Sequence, residues 1–184
     1  MLELRRTKIE GLIEILPKRI GDDRGFFSEV WNQAAWREAG IDLDFVQDNH
    51  SSSARGVLRG LHYQLPPAAQ AKLVRVSRGA IFDVAVDIRR SSPTFGRWVG
   101  RILSADAWNQ LLVPAGLAHG FLALEDGTEV QYKVDAPYSA AHDCSLAADD
   151  PALAIAWPMP RDLWVRSDKD LGAPTLAAAQ VFDR

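Results

Sequence analysis

Between residues 81 and 88 the chain alternates: Phe82, Val84, Val86 and Ile88 fall on one face, and Asp83, Ala85 and Asp87 on the other. The same two-residue period predicts strands over 57–64, 71–76, 96–103, 110–113, 121–124 and 129–134. Turn signals separate them, among them Ser91-Ser92-Pro93, Pro114-Ala115-Gly116 and Asp126-Gly127. A short helix is predicted from Asn32 as N-cap to Gly40 as stop, and another around 176–181. No alternating β-α-β pattern appears. The expected class is mainly β: a sandwich or barrel of jelly-roll type with a few short helices.

Two of these strands carry a polar residue on an apolar face. Lys72 shares its face with Val74 and Val76, and Tyr132 shares its face with Val130 and Val134. Such residues either line a cavity or find a bland place, the lysine snorkelling out at a strand end and the tyrosine packing as an ordinary core aromatic. His62 lies in Arg59-Gly60-Leu61-His62, where strict alternation puts Arg59 and His62 on opposite faces. Gly60 permits a bulge that would re-aim one of them. A histidine is the usual choice for proton transfer near neutral pH, although a lone strand histidine is more often structural. His119 follows a turn and opens a strand, whereas His50 and His142 read as surface or loop residues.

Composition adds limits. A chain of 184 residues with 47% hydrophobic and 24% charged residues is expected to form one domain over 1–184. A net charge of −3 argues against nucleic acid as partner. No signal peptide and no membrane-spanning run are read in the sequence, and Cys144 is the only cysteine, which fits a reducing cytoplasm.

Pro114-x-Gly116-x-x-His119 is half of the cupin metal signature. The other half needs His-x-His and a nearby glutamate, but Leu61-His62-Tyr63-Gln64 has one histidine and the next glutamate is Glu125. The segment points to a cupin-like fold and argues against cupin metal chemistry.

Eight ordered motifs then carry a specific likeness. Phe45-Val-Gln-Asp-Asn-His-Ser51, Val57-Leu-Arg-Gly-Leu-His-Tyr-Gln64, Lys72-Leu-Val-Arg75 and Phe82-Asp-Val-Ala-Val-Asp-Ile-Arg89 are four of them. Ser92-Pro-Thr-Phe-Gly96, Ala118-His-Gly-Phe121, Tyr132-Lys133 and Ser167-Asp-Lys-Asp170 are the others. From about Gly21 to Leu176 the chain resembles the dTDP-4-dehydrorhamnose 3,5-epimerases. The resemblance implies a cupin-type jelly-roll core over about 45–140. It also implies a homodimer that exchanges N-terminal strands and a dTDP-4-keto-6-deoxy sugar as substrate, with no cofactor and no metal.

It implies roles as well. His62 would be the base beside the sugar ketone, Asp170 its orienting partner and Tyr132 the acid on the opposite face. Lys72 would stabilise the enolate oxygen, with His119 close by. Gln47, Asp48, Asn49 and Arg59 match sugar and diphosphate contacts, Tyr138 a thymine-stacking aromatic, and Asp143 and Lys169 further binding positions. Arg24 and Glu29 match ligand residues supplied by the partner subunit. Asp143 stands where the family usually has glutamate, Arg166 where leucine is usual, Ala107 where asparagine is frequent, and a tryptophan is common near Ala148.

The chemistry suits these residue types. A proton α to a ketone is too weakly acidic for an unaided imidazole, so the enolate oxygen must be stabilised where charge appears. Inversion needs an acid and a base on opposite faces of the ring. No Gly-x-Gly-x-x-Gly loop is present to hold a redox cofactor. The expected activity is epimerisation at C3 and C5 of dTDP-4-dehydro-6-deoxy-D-glucose. Inversion of one centre only, a non-catalytic sugar-nucleotide binding module, and a metal-dependent cupin enzyme are the competing readings.

Overall fold

The computed structural model describes residues 2–183. Thirteen strands and two short α-helices follow in order. They are β1 (Glu3–Arg6), β2 (Ile13–Leu16), β3 (Ile20–Asp22), β4 (Gly25–Phe27), α1 (Gln33–Glu38), β5 (Gln47–Ser53), β6 (Leu58–Gln64) and β7 (Lys72–Arg78). Then come β8 (Ala80–Asp87), β9 (Trp98–Ser104), β10 (Gln110–Val113), β11 (Leu117–Ala123), β12 (Thr128–Val134), β13 (Asp143–Ser145) and α2 (Asp168–Leu171).

The strands form a six-stranded sheet, β1-β2-β10-β7-β12-β5, and a five-stranded sheet, β13-β6-β11-β8-β9. Every pairing between these strands is antiparallel. Inward side chains of the two sheets meet in one core: Val74, Val76, Leu111 and Val130 from the first, and Ile81, Ala85, Val99 and Phe121 from the second. The mainly β, jelly-roll architecture expected from the alternation is the one found.

Both outer faces are covered too. On the five-stranded sheet, Leu58, Val84, Val86 and Leu122 pack under Leu153, Met159, Ala179 and Phe182 of the C-terminal segment. On the six-stranded sheet, Ile13, Ile15, Leu73 and Leu112 pack under Trp36 and Ile41. The alternation in β8 therefore does not separate a wet face from a dry one. Asp83 and Asp87 are both fully buried and sit on the inward face, where each has a dedicated partner.

α1 starts where Asn32 caps it, its side chain accepting the Ala35 N–H, and Gly40 follows its end with φ +85°. The expected helix around 176–181 is not there. The Leu176 N–H goes to Asp150, one turn forms on the Thr175 carbonyl, and Phe182 then bonds in extended form to Ile88 and Arg90. Tertiary bonds override the helical propensity of Leu176 and its three alanines. The helix that does form near the C-terminus is α2, with Ser167 as N-cap. Residues 96–97, assigned to a strand from sequence, belong to the turn before β9; Gly96 has φ +72°.

β1 and β2 pair with each other, and β2 pairs with β10 of the same chain. The β3–β4 hairpin is a separate two-stranded sheet, and it leaves Ile20, Phe26 and Phe27 exposed. No helix among the described residues is long and apolar enough to cross a membrane.

Candidate active site

The site is built around an irregularity in β6. His119 of β11 lies opposite His62, and Phe121 lies opposite Arg59, so Gly120 alone faces both Gly60 and Leu61. One extra residue on β6 is a bulge, and it reverses the alternation between Arg59 and His62. Leu61 now points to the outer core, while Arg59 and His62 line the same inner cavity of about 420 Å³. Gly60 is required: its φ is +117°, and a Cβ there would lie 2.7 Å from the Gly120 Cα and 2.8 Å from the His119 carbonyl oxygen.

Both sheets contribute to this cavity. β6 and β11 supply Arg59, His62 and His119, β7 and β12 supply Lys72 and Tyr132, and α2 supplies Asp170. Lys72 does not snorkel out. It is buried, and its ammonium donates to the His62 carbonyl oxygen at 3.2 Å. Burial pushes the Lys72 pKa down to about 8, against the pull of the Asp143 and Asp83 carboxylates. Tyr132 packs on the inter-sheet core and faces the cavity. Burial raises its phenol pKa, with Asp143 adding to the shift and Arg59 opposing it, so the group is a neutral proton donor at pH 7.

Two histidine–carboxylate pairs stand side by side. His62 Nε2 is 2.6 Å from Asp170 Oδ1, and His119 Nε2 is 2.7 Å from Asp83 Oδ1. Burial alone would raise the Asp170 pKa, but hydrogen bonds from His62, Ser167 and the Gly60 N–H outweigh it and hold the carboxyl below its ordinary value. A carboxylate fixed on one ring nitrogen sets the imidazole's tautomer and plane. Asp83 carries no expected site role from sequence, because alternation only groups it with Ala85 and Asp87 on one face of the strand. The signal was a carboxylate on β8 one strand away from His119.

A smaller cavity of about 140 Å³ continues from the first, sharing His62, Lys72 and Tyr132. Gln47, Asn49, Tyr138, Asp143 and Lys169 line it. The Tyr138 hydroxyl is 3.1 Å from Asp143 Oδ2, which Lys169 also contacts at 2.5 Å. Three of the sequence-derived positions lie elsewhere. Asp48 follows strand alternation to the other face of β5 and pairs with Lys133 at 2.7 Å. Arg24 bonds to Asp22 in the exposed hairpin, and Glu29 is exposed beyond it. His50 and His142 are outside both cavities: His50 is exposed beside Glu129, and His142 bonds to Ser139 in a loop. Among the described residues no three His, Cys, Asp or Glu side chains converge as metal ligands would.

Arg166 lines the larger cavity. Its guanidinium bonds to Asp149 at 3.1 Å and faces the Trp164 ring.

Comparison with known proteins shows which family the chain is similar to. Residues 6–178 match the family described as dTDP-4-dehydrorhamnose 3,5-epimerase. A protein of that description from Sinorhizobium fredii is 52% identical over 168 residues, covering 91% of this chain and 86% of the relative. The crystal structure of a 3,5-epimerase from Legionella pneumophila, in complex with dTDP-4-keto-L-rhamnose, superposes with a TM-score of 0.95 at 43% identity and covers 100% of this chain and 99% of that one. A 3'-monoepimerase from Streptomyces bikiniensis, in complex with dTDP-quinovose, gives a TM-score of 0.86 at 40% identity over 93% of this chain and 86% of that one.

Proposed function

This chain belongs to the dTDP-4-dehydrorhamnose 3,5-epimerase family, and from that premise we propose that it converts dTDP-4-dehydro-6-deoxy-D-glucose into dTDP-4-dehydro-L-rhamnose by proton transfer on either side of the C4 ketone. The observation that carries the mechanism is that His62 and Tyr132 stand on opposing sheets and line one cavity.

His62, held by Asp170, removes the proton from the carbon next to the ketone, and the electron pair moves onto the C4 oxygen. Lys72 stabilises that oxyanion with its buried ammonium, where such a charge counts for more than it does in water. His119, fixed by Asp83, stands opposite His62 in the strand ladder and completes the polar wall. Tyr132 returns a proton to the other face of the carbon, and the configuration inverts. Proton transfer α to a ketone leaves the carbon's oxidation level unchanged, so no redox cofactor enters.

The nucleotide end occupies the smaller cavity. Tyr138 offers its ring to the base, and Gln47, Asn49, Asp143 and Lys169 supply polar contacts around it. Arg59 serves the diphosphate, where a planar guanidinium binds well.

The active unit is a homodimer. The β3–β4 hairpin bonds to no other strand of its own chain and exposes Ile20, Phe26 and Phe27, an apolar surface suited to a second copy. In that assembly Arg24 and Glu29 reach the partner's nucleotide. A single thiol, Cys144, with no disulfide suits a cytoplasmic enzyme.

Proton NMR of the reaction in deuterated water is the test. Deuterium entering at both C3 and C5 supports the double epimerisation. Label at one centre only assigns the chain to the monoepimerase chemistry named for the Streptomyces bikiniensis protein, and no label at either position overturns the catalytic reading. A monomer in sedimentation with full activity overturns the dimer.

A further inference from the structure

The Asp170 carboxylate has two oxygens with different duties. Oδ1 faces His62 Nε2 at 2.6 Å, and Oδ2 accepts a hydrogen bond from the Ser167 hydroxyl at 2.8 Å. The same Ser167 oxygen accepts the Asp170 backbone N–H at 3.2 Å, as the N-cap of α2. One hydroxyl thus holds Asp170 at its backbone and at its side chain.

The rest of the segment is stitched to β6. The Leu58 N–H donates to the Val165 carbonyl, the Val165 N–H donates to the Gly56 carbonyl, and the Gly60 N–H bonds to Asp170. The strand that bears the base and the helix that bears its orienting acid therefore meet at Ser167. Asp170 is 4% exposed, so a lost partner on Oδ2 is not replaced freely by water.

We propose that Ser167 is a positioning residue for proton transfer: its hydroxyl fixes the Asp170 carboxylate so that Oδ1 meets His62 and the imidazole keeps one tautomer and one plane. Without the Ser167 hydroxyl the carboxylate keeps only its His62 and Gly60 contacts and is freer to rotate about its χ2 bond, which is a soft torsion. Rotation swaps which oxygen faces the imidazole and spreads His62 over orientations that do not point at the substrate carbon. The proposal rests on the proton-transfer reading given above, and it asks for one experiment that separates the two.

Ser167 is both cap and donor, so the variants must separate those jobs. Glycine is a tolerable N-cap and lacks the hydroxyl, whereas threonine keeps both functions. The expected result is that Ser167→Gly folds with nearly unchanged thermal stability and loses about ten- to a hundredfold in kcat at unchanged KM. Ser167→Thr is expected to restore most of it.

A second readout needs no turnover. The His62 ring N–H bonded to Asp170 should give a distinct downfield proton signal in the unsubstituted protein and in Ser167→Thr, and should broaden or move in Ser167→Gly. An unchanged signal together with unchanged kcat in Ser167→Gly overturns the positioning role. Equal losses in the glycine and threonine variants overturn it as well. If the unsubstituted protein turns nothing over, the function fails, while the His62 signal still decides whether Ser167 positions the pair.

Discussion

His62 and Asp170 are 108 residues apart in the chain and 2.6 Å apart in the fold. The contact depends on a bulge at one end and a helix cap at the other. If this pair supplies the base, His62→Ala lowers turnover by roughly two to four orders of magnitude, the range general base catalysis contributes. Asp170→Asn keeps the shape but not the charge and is expected to fall in the same direction. Steady-state rates alongside circular dichroism check both; near-native turnover in His62→Ala would remove the base.

Tyr132 acts after the base in this scheme, so its loss has a different signature. Tyr132→Phe keeps the ring in the inter-sheet core and removes only the hydroxyl. The variant is expected to exchange the substrate proton with deuterated water while yielding little inverted product. Equal loss of exchange and epimerisation would mean that Tyr132 is needed before or during proton abstraction.

Much of this arrangement was legible in the sequence, for a physical reason. Lys72 and Tyr132 betray themselves because a two-residue period makes any polar residue on a valine face conspicuous. His62 was harder, since strict alternation places it opposite Arg59, and only the fold shows that Gly60 and Leu61 together face Gly120. Asp170 cannot be paired with His62 from periodicity at all, because the pairing comes from α2 docking on β6. Asp48 shows the reverse error. Gln47, Asp48 and Asn49 stand together in one motif, but neighbours on a strand point to opposite faces. The alanines near 178 have strong helix propensity, yet the hydrogen bonds to Asp150 and Ile88 decided that segment.

The bulge can be tested without chemistry. Gly60→Ala combines a left-handed backbone with a Cβ 2.7 Å from the Gly120 Cα, and it is expected to cost at least about 2 kcal/mol. Gly25→Ala is the control, because Gly25 also has positive φ, +128°, but a Cβ there meets nothing within 4 Å. Urea unfolding should show the larger loss at Gly60, and activity should fall with it. Equal losses would reduce the Gly60 effect to backbone strain alone.

Asp87 anchors the loop after β8. Arg89 donates Nε and a terminal nitrogen to it, at 2.9 and 2.8 Å, and Ser92 and Thr94 donate their hydroxyls at 2.6 Å each. Burial raises its pKa, but these bonds outweigh burial and carry it down to about 2. A depressed carboxyl pKa means stability that is fully present above the ordinary value of 3.8 and is lost as pH falls through about 2. Asp87→Ala leaves Arg89 and two hydroxyls without their acceptor and is expected to cost about 3–5 kcal/mol at pH 7. The difference between the two proteins should shrink between pH 4 and 2; a constant gap across that window would deny Asp87 the role.

Lys72 brings stability and activity into opposition. Its folded pKa is lowered from 10.5 to about 8, so the buried ammonium is disfavoured relative to the unfolded chain. Below pH 8 both states bind the proton and the folded state bears the full penalty, about 3 kcal/mol by the size of the shift. Between about 8 and 10.5 the unfolded chain binds more protons, so stability rises with pH through that window. Lys72→Met removes the penalty together with the bond to the His62 carbonyl, and should stabilise the fold at pH 7 by about 1–2 kcal/mol. The oxyanion loses its cation in the same step, and turnover should fall by roughly 10²–10³ or more. In the unsubstituted enzyme kcat/KM should decline above an apparent pKa near 8 as Lys72 loses its proton. Thermal unfolding and a pH–rate profile decide the matter together. A variant that is less stable yet still active would show that Lys72 holds the fold rather than the enolate.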